Sequence, residues 1–140
     1  MKQLIEEYAY SEQGYKPCLI TPLWQAAILN YAESQDFKSI DKIEKHTQTD
    51  EVFVLLEGCA VLIGAEQTDN ALRFETIPLQ KGIIYNVPAD VWHNIAMDKA
   101  ARIIIFEDAN THLNDVTYSP LNEEQQKELE MSLKQIVKNK

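Results

Sequence analysis

Hydrophobic and polar positions alternate in short stretches over most of the chain and shift to a helical period only near its end. The clearest stretch is "EVFVLLEG" (51–58), rich in β-branched and aromatic side chains and closed by Gly58. Such a run reads as a buried strand. "CAVLIGAE" (59–66) follows as its partner and "QTDN" (67–70) as a turn. "LRFETIPL" (72–79) carries Leu72 and Phe74 in alternation and, after a slip, Ile77. "IIYNVP" (83–88), "WHNIAM" (92–97) and "ARIIIFED" (101–108) continue the series at close spacing. Upstream, "LITPLWQAAILNY" (19–31) places Trp24, Ala26 and Ile28 at alternate positions and reads as one further strand. Short strands divided by turn signals predict an all-β antiparallel sandwich or barrel over about residues 17–110.

The tail has a different period. In "NEEQQKELEMSLKQIVKNK" the residues Leu129, Leu133, Ile136 and Val137 fall on one helical face. Asn122 suits the N-cap with Gln125 three residues on, while Glu123 and Glu124 sit at the positive end of the helix dipole. A C-terminal helix is expected over about 122–137, its apolar stripe packed on the sandwich. "KQLIEEY" (2–8) reads as a second, short helix.

Composition then limits the class. The 140 residues suit one domain, 1–140, with 45% hydrophobic and 25% charged side chains. The N-terminus carries acids where a secretory signal needs an apolar segment, and no apolar run approaches the roughly 20 residues of a membrane span. A cytoplasmic location and no membrane partner are expected. Cys18 and Cys59 form no C-x-x-C pair and read as small buried side chains. The net charge of −9 repels nucleic acid. With Arg73 and Arg102 as its only arginines, the chain is also poor in bidentate phosphate clamps, which disfavours nucleotide-sugar substrates.

Chemistry concentrates in two places. In "EKHTQTDEVFVLLEG" (44–58), Glu44, His46 and Glu51 stand at the mouth of the buried strand. Alone, they would read as solvated loop residues. Further on, Gly82, Pro88 and His93 give G-x5-P-x4-H. Together these segments resemble the two motifs of the cupin superfamily. His46, Glu51 and Gly58 fall on the second histidine, the glutamate and the closing glycine of the first; Gly82, Pro88 and His93 fall on the glycine, proline and histidine of the second. The departures are Glu44 at the family's first metal-binding histidine, Lys38 at its leading glycine, Asp90 at the inner glycine and Met97 at the final asparagine. The resemblance implies a jelly-roll barrel and a metal site.

Residue geometry leads to the same group. Glu44 and His46 are two apart and share a face on an extended strand. A turn at "TQTD" returns Glu51, which shares a face with Phe53 and Leu55; His93 shares one with Ile95 and Met97. Glu44, His46, Glu51 and His93 are thus the expected ligands of a divalent metal. Two imidazoles and two carboxylates without thiolate suit Fe, Mn, Ni or Zn. Trp92 is expected to point away from the pocket, Tyr85 to pack in the core, and His112 to lie on the surface. No catalytic residue is singled out, though an uncoordinated Glu44 or Glu51 would suit a general base. The expected function is binding of a metal and a small oxygen-rich molecule (a keto acid, a sugar or a derivative), as an isomerase, lyase or dioxygenase. The rival is a metal-free ligand-binding or sensing module. Apolar residues on both faces of "EVFVLLEG" and "RIIIF" also predict a homodimer.

Overall fold

The strand-forming runs pair into two five-stranded antiparallel sheets in a computed structural model that describes residues 3–138. The strands are β1 (Gly14–Ile20), β2 (Trp24–Asn30), β3 (Lys42–Lys45), β4 (Glu51–Glu57) and β5 (Ala60–Gln67). There follow β6 (Leu72–Pro78), β7 (Tyr85–Val87), β8 (Trp92–Met97), β9 (Arg102–Asp108) and β10 (Thr117–Pro120). One sheet has the order β1-β2-β9-β4-β7 and the other β10-β3-β8-β5-β6. A single helical turn, α1 (Thr111–Asn114), precedes β10, and α2 (Glu123–Lys138) ends the described chain.

Two apolar layers result. Between the sheets lie Leu29, Phe53, Leu55, Leu62, Ile95, Met97, Ile103 and Ile105, all buried. Outside the second sheet, Ile43, Val61, Ile63 and Ala96 meet Leu129 and Leu133 of α2. The helix therefore covers one sheet from outside, as its stripe predicts. Its N-cap is reciprocal: the Gln125 amide N–H donates to Asn122 Oδ1 at 2.8 Å, and the Asn122 N–H donates to Gln125 Oε1 at 2.9 Å. Val137, expected on the packed face, is 44% exposed, while its neighbour Ile136 packs against the cluster.

Register carries polar groups to one end of the interior. On β2 the inward row is Gln25, Ala27, Leu29; on β9 it is Ile103, Ile105, Glu107; on β4 it is Glu51, Phe53, Leu55. Gln25 pairs with Glu107, Ala27 with Ile105 and Leu29 with Ile103. Phe53 also pairs with Ile105, which brings Glu51 to the same end as Gln25 and Glu107. Each row is thus apolar along its length and polar at one mouth of the sandwich.

Several expectations need correction. The span 19–31 is not one strand: the chain turns at Thr21, whose hydroxyl and N–H both donate to the Trp24 carbonyl, and a separate strand β1 precedes it. The inward face of β2 is the Gln25 row, while the alternate row of Trp24, Ala26 and Ile28 lies on the outer face, which is also apolar. β6 has no slip. Leu72 and Phe74 pack on the helix side while Ile77, opposite Leu62, lies on the other face in strict alternation. β10 lies beyond the expected barrel limit and extends the second sheet beside β3. The expected helix at 2–8 is not formed over residues 3–8, where Leu4, Ile5 and Tyr8 stay exposed and join neither apolar cluster; Lys2 lies outside the described residues.

Glycine is required at one motif position by space. Gly58 has φ +74°, and a Cβ there would stand 2.4 Å from the Ala101 backbone nitrogen. Asp90, where the resembling motif has glycine, adopts the same left-handed conformation (φ 70°). Aspartate tolerates that region better than most residues. Its N–H donates to the His46 carbonyl at 2.7 Å, tying the two motifs together through the backbone.

Candidate metal centre

The polar mouth of the sandwich brings Glu44, His46, Glu51 and His93 together, with one ligating atom from each lying within 4.8 Å of all the others. Glu44 is on β3 directly opposite His93 on β8; Glu51 begins β4. His46 follows β3 and is held by the segment after α1. Its Nδ1 donates to the Asp115 carbonyl at 2.7 Å, while the Asp115 carboxylate accepts from Thr47 N–H, Thr47 Oγ1 and Gln48 N–H. His93 Nδ1 likewise donates to the Val91 carbonyl at 2.9 Å. A carbonyl only accepts, so Nδ1 of each ring carries a hydrogen. In the neutral rings the Nε2 lone pairs then face the cavity, the arrangement a metal-binding histidine needs.

The donor set fits a cation on a further observation. His93 Nε2 is buried without a hydrogen-bond partner, 3.5 Å from Glu51 Oε1 and 4.0 Å from Glu44 Oε1. A buried polar atom left unpaired is costly unless something occupies the space before it. His46 Nε2 lies 2.8 Å from Glu51 Oε2, a distance that requires a proton or a cation between two groups that otherwise both accept.

Charge in the metal-free group follows from these contacts. Burial opposes a charge on His46, but the Glu51 hydrogen bond and charge, with the Asp115 carbonyl, raise it to about 9. Burial likewise opposes a charge on His93, and Glu51 again outweighs it and raises the pKa. For Glu51, burial favours the neutral acid, yet the two imidazoles hold it well below the usual carboxylate range. Glu44 is raised by burial and then by the neighbouring Glu51.

Beside the four lies a second group that sequence reasoning missed. Glu107 Oε1 accepts from Tyr15 Oη at 2.5 Å and from Gln25 Nε2 at 3.1 Å. Burial and then Glu51 raise the Glu107 carboxyl to about 8. The Gln25 amide nitrogen is also 3.1 Å from His112 Nδ1, so His112, expected on the surface, is half-buried and turned to the cavity. It lines the cavity because α1 folds the "ANTHLND" turn back over the sheet end. The available signal was the alternation itself: Ile103, Ile105 and Glu107 share a face, as do Gln25, Ala27 and Leu29. The cavity measures about 260 Å³ and is walled by Phe53, Ile95 and Ile105 below the polar groups. Trp92 points away from it, onto the side covered by α2, and Tyr85 packs against the core between the sheets.

No family model and no curated protein matches the chain by sequence. Solved structures do match its shape. A Streptomyces PAC13 variant solved with uridine is 10% identical, with 87% of this chain and 96% of that one covered at a TM-score of 0.55. BH2720 from Bacillus halodurans is 15% identical, covering 87% and 85% at 0.55. A cupin-2 domain protein from Shewanella frigidimarina is 20% identical over 71% and 84%, at 0.49. The fold is the cupin jelly roll. At these identities the likeness concerns architecture alone. In this chain the histidine and glutamate group stands where the two sheets open, able to hold a metal ion. Among the described residues no helix is long and apolar enough to cross a membrane.

Proposed function

We propose that this cupin binds one divalent metal through Glu44, His46, Glu51 and His93 and holds a small oxygen-bearing molecule beside it. The observation that carries the reading is the unpartnered, buried Nε2 of His93, facing two carboxylates and a second fixed imidazole. When bound, the cation would supply Lewis-acid polarisation of a ligand oxygen. The chain's own part is positional. The Asp115 and Val91 carbonyls aim the two rings, Glu51 lies against both, and Phe53, Ile95 and Ile105 exclude water from below. Glu44, the most exposed of the four, borders the opening, so it is the ligand nearest an entering molecule. Isomerase, lyase and dioxygenase chemistry all suit a carbonyl or hydroxyl oxygen held this way.

A second reading has its own support. The direct 2.8 Å contact between His46 and Glu51 lets the pair close on a proton, as in a metal-free ligand-binding module. Calorimetric titration of Mn(II), Ni(II) and Zn(II) into tag-free protein separates the two. The metal reading expects saturable one-to-one binding, weakened in His46→Ala and His93→Ala; absence of saturable binding in the wild type leaves the module.

We also propose that the chain forms a homodimer. The outer face of the first sheet presents Trp24, Leu56 and Phe106, at 45%, 43% and 41% exposure, around the less exposed Val52, Val54 and Ile104. α2 covers the other sheet, so nothing within the described chain shields this patch.

A further inference from the structure

Among the described residues two buried side-chain atoms lack a hydrogen-bond partner: His93 Nε2 and Glu107 Oε2. A metal in the four-residue group accounts for the first. It does not account for the second, because Glu107 is outside that group and its Oε2 is 3.7 Å from His46 Nε2, beyond hydrogen-bond range. The Glu107 side chain is 3% exposed and borders the cavity. It is also rigidly aimed. Tyr15 Oη and Gln25 Nε2 both donate to Oε1, and Gln25 is in turn fixed by its own Oε1, which accepts from the Asn110 N–H at 2.8 Å. This scaffold spends its donors on one oxygen and leaves the other beside the Glu51 carboxylate, which has no hydrogen to give it, and open to a donor in the cavity.

We infer that Glu107 is the ligand-recognition residue of the cavity, selecting a small uncharged molecule with a hydroxyl beside its metal-directed oxygen over a carboxylate. The inference deepens the proposed function and rests on the reading of the cavity as a ligand site. Two observations give the ligand class. Glu44, Glu51 and Glu107 line the cavity, whereas among the described residues no lysine or arginine does, so a divalent cation is already balanced by the Glu44 and Glu51 carboxylates. With both imidazoles turned to the metal, an anionic ligand would find no lysine or arginine to receive it and would face the Glu44 and Glu51 carboxylates in a desolvated site. A hydroxyl, by contrast, both donates and accepts. It pairs with Glu107 Oε2 whether or not that oxygen carries a proton, which neither an ammonium nor a carboxylate does. The cavity volume of about 260 Å³ suits a molecule of a few carbons, such as a short polyol or a hydroxy ketone. Of the ligands expected from sequence, the sugar-like ones fit and the keto acids do not.

Hydroxyacetone and glycolate test this directly, being nearly the same shape and differing by a methyl group against a charged oxygen. Their affinities are measured by ligand-observed NMR on Zn(II)-loaded wild type, Glu107→Gln and Glu107→Leu. The wild type is expected to bind hydroxyacetone at least as tightly as glycolate. In Glu107→Leu hydroxyacetone should weaken about 10-fold, the loss of one buried hydrogen bond, while glycolate tightens. Glu107→Gln, which keeps the shape and the hydrogen-bonding capacity, should hold hydroxyacetone within about threefold and still tighten glycolate. A wild-type preference for glycolate, or a ratio unmoved by both substitutions, overturns the inference. So does loss of Zn(II) binding in folded Glu107→Gln, which would make Glu107 a ligand of the metal instead. If the wild type binds no Zn(II), the proposed function fails, and the same two probes on the metal-free protein still decide the role of Glu107.

Discussion

Binding of a metal to this site should displace protons, and the structure sets how strongly. In the metal-free protein His46 is raised to about 9 by Glu51 and the Asp115 carbonyl, against the opposing effect of burial. At pH 7 its Nε2 therefore carries a proton that a cation must remove. With a pKa two units above the working pH, competition weakens the apparent affinity about 100-fold, or roughly 2.7 kcal/mol. Affinity should accordingly rise about 10-fold per pH unit between pH 6 and 8. His93 is raised as well, so a second proton joins towards lower pH and the slope steepens. The same shift has a stability sign. The stabilisation from charged His46 is fully present below its unfolded value near 6.5 and is lost as pH rises through about 9, so the metal-free protein weakens over that window. The assay is Mn(II) calorimetry at pH 6, 7 and 8 in buffers of different ionisation enthalpy, which counts protons released. Affinity that stays flat over this range, with no proton released at pH 7, would refute the reasoning.

Three further outcomes are expected. Gly58→Ala should destabilise by about 3 kcal/mol in denaturant unfolding, through a backbone clash and left-handed strain, whereas Gly82→Ala, with φ +80° and open space around it, should lose only about 1. A similar loss at the two sites would show that space at Gly58 is not limiting. Asp115→Ala keeps the carbonyl that holds His46 but removes its carboxylate anchor on Thr47 and Gln48, and should weaken metal binding about 10-fold in calorimetry. Light scattering at micromolar concentration should report a dimer that the paired change Trp24→Glu with Phe106→Glu converts to monomer; a monomeric wild type would remove the role given to the outer face.

How far the chain discloses itself depends on which residues carry local information. β4 and β8 were readable because their inward residues are apolar apart from the site residues Glu51 and His93, so motif and alternation coincide. The Asn122–Gln125 cap marked the start of α2 for the same reason: its signal is local. The phase of β2 was not legible because both its faces are apolar, and only pairing with β9 decides that Gln25 and not Trp24 turns inward. β1, in "GYKPCLI", holds a lysine, a proline and a bulge between Pro17 and Leu19, which breaks its alternation. Within the site, Glu44, His46, Glu51 and His93 were found by spacing. Glu107 and His112 were not, because they reach the cavity through long-range pairing and the return of α1.

The central claim is that two imidazoles and two carboxylates of this mouth hold one metal. Pulsed electron paramagnetic resonance of the Mn(II)-loaded protein reads the coordinating nitrogens directly. Two histidine nitrogens coupled to the ion are expected in the wild type, and one in either His46→Ala or His93→Ala. A spectrum without nitrogen coupling, like that of the hydrated ion, would contradict the account.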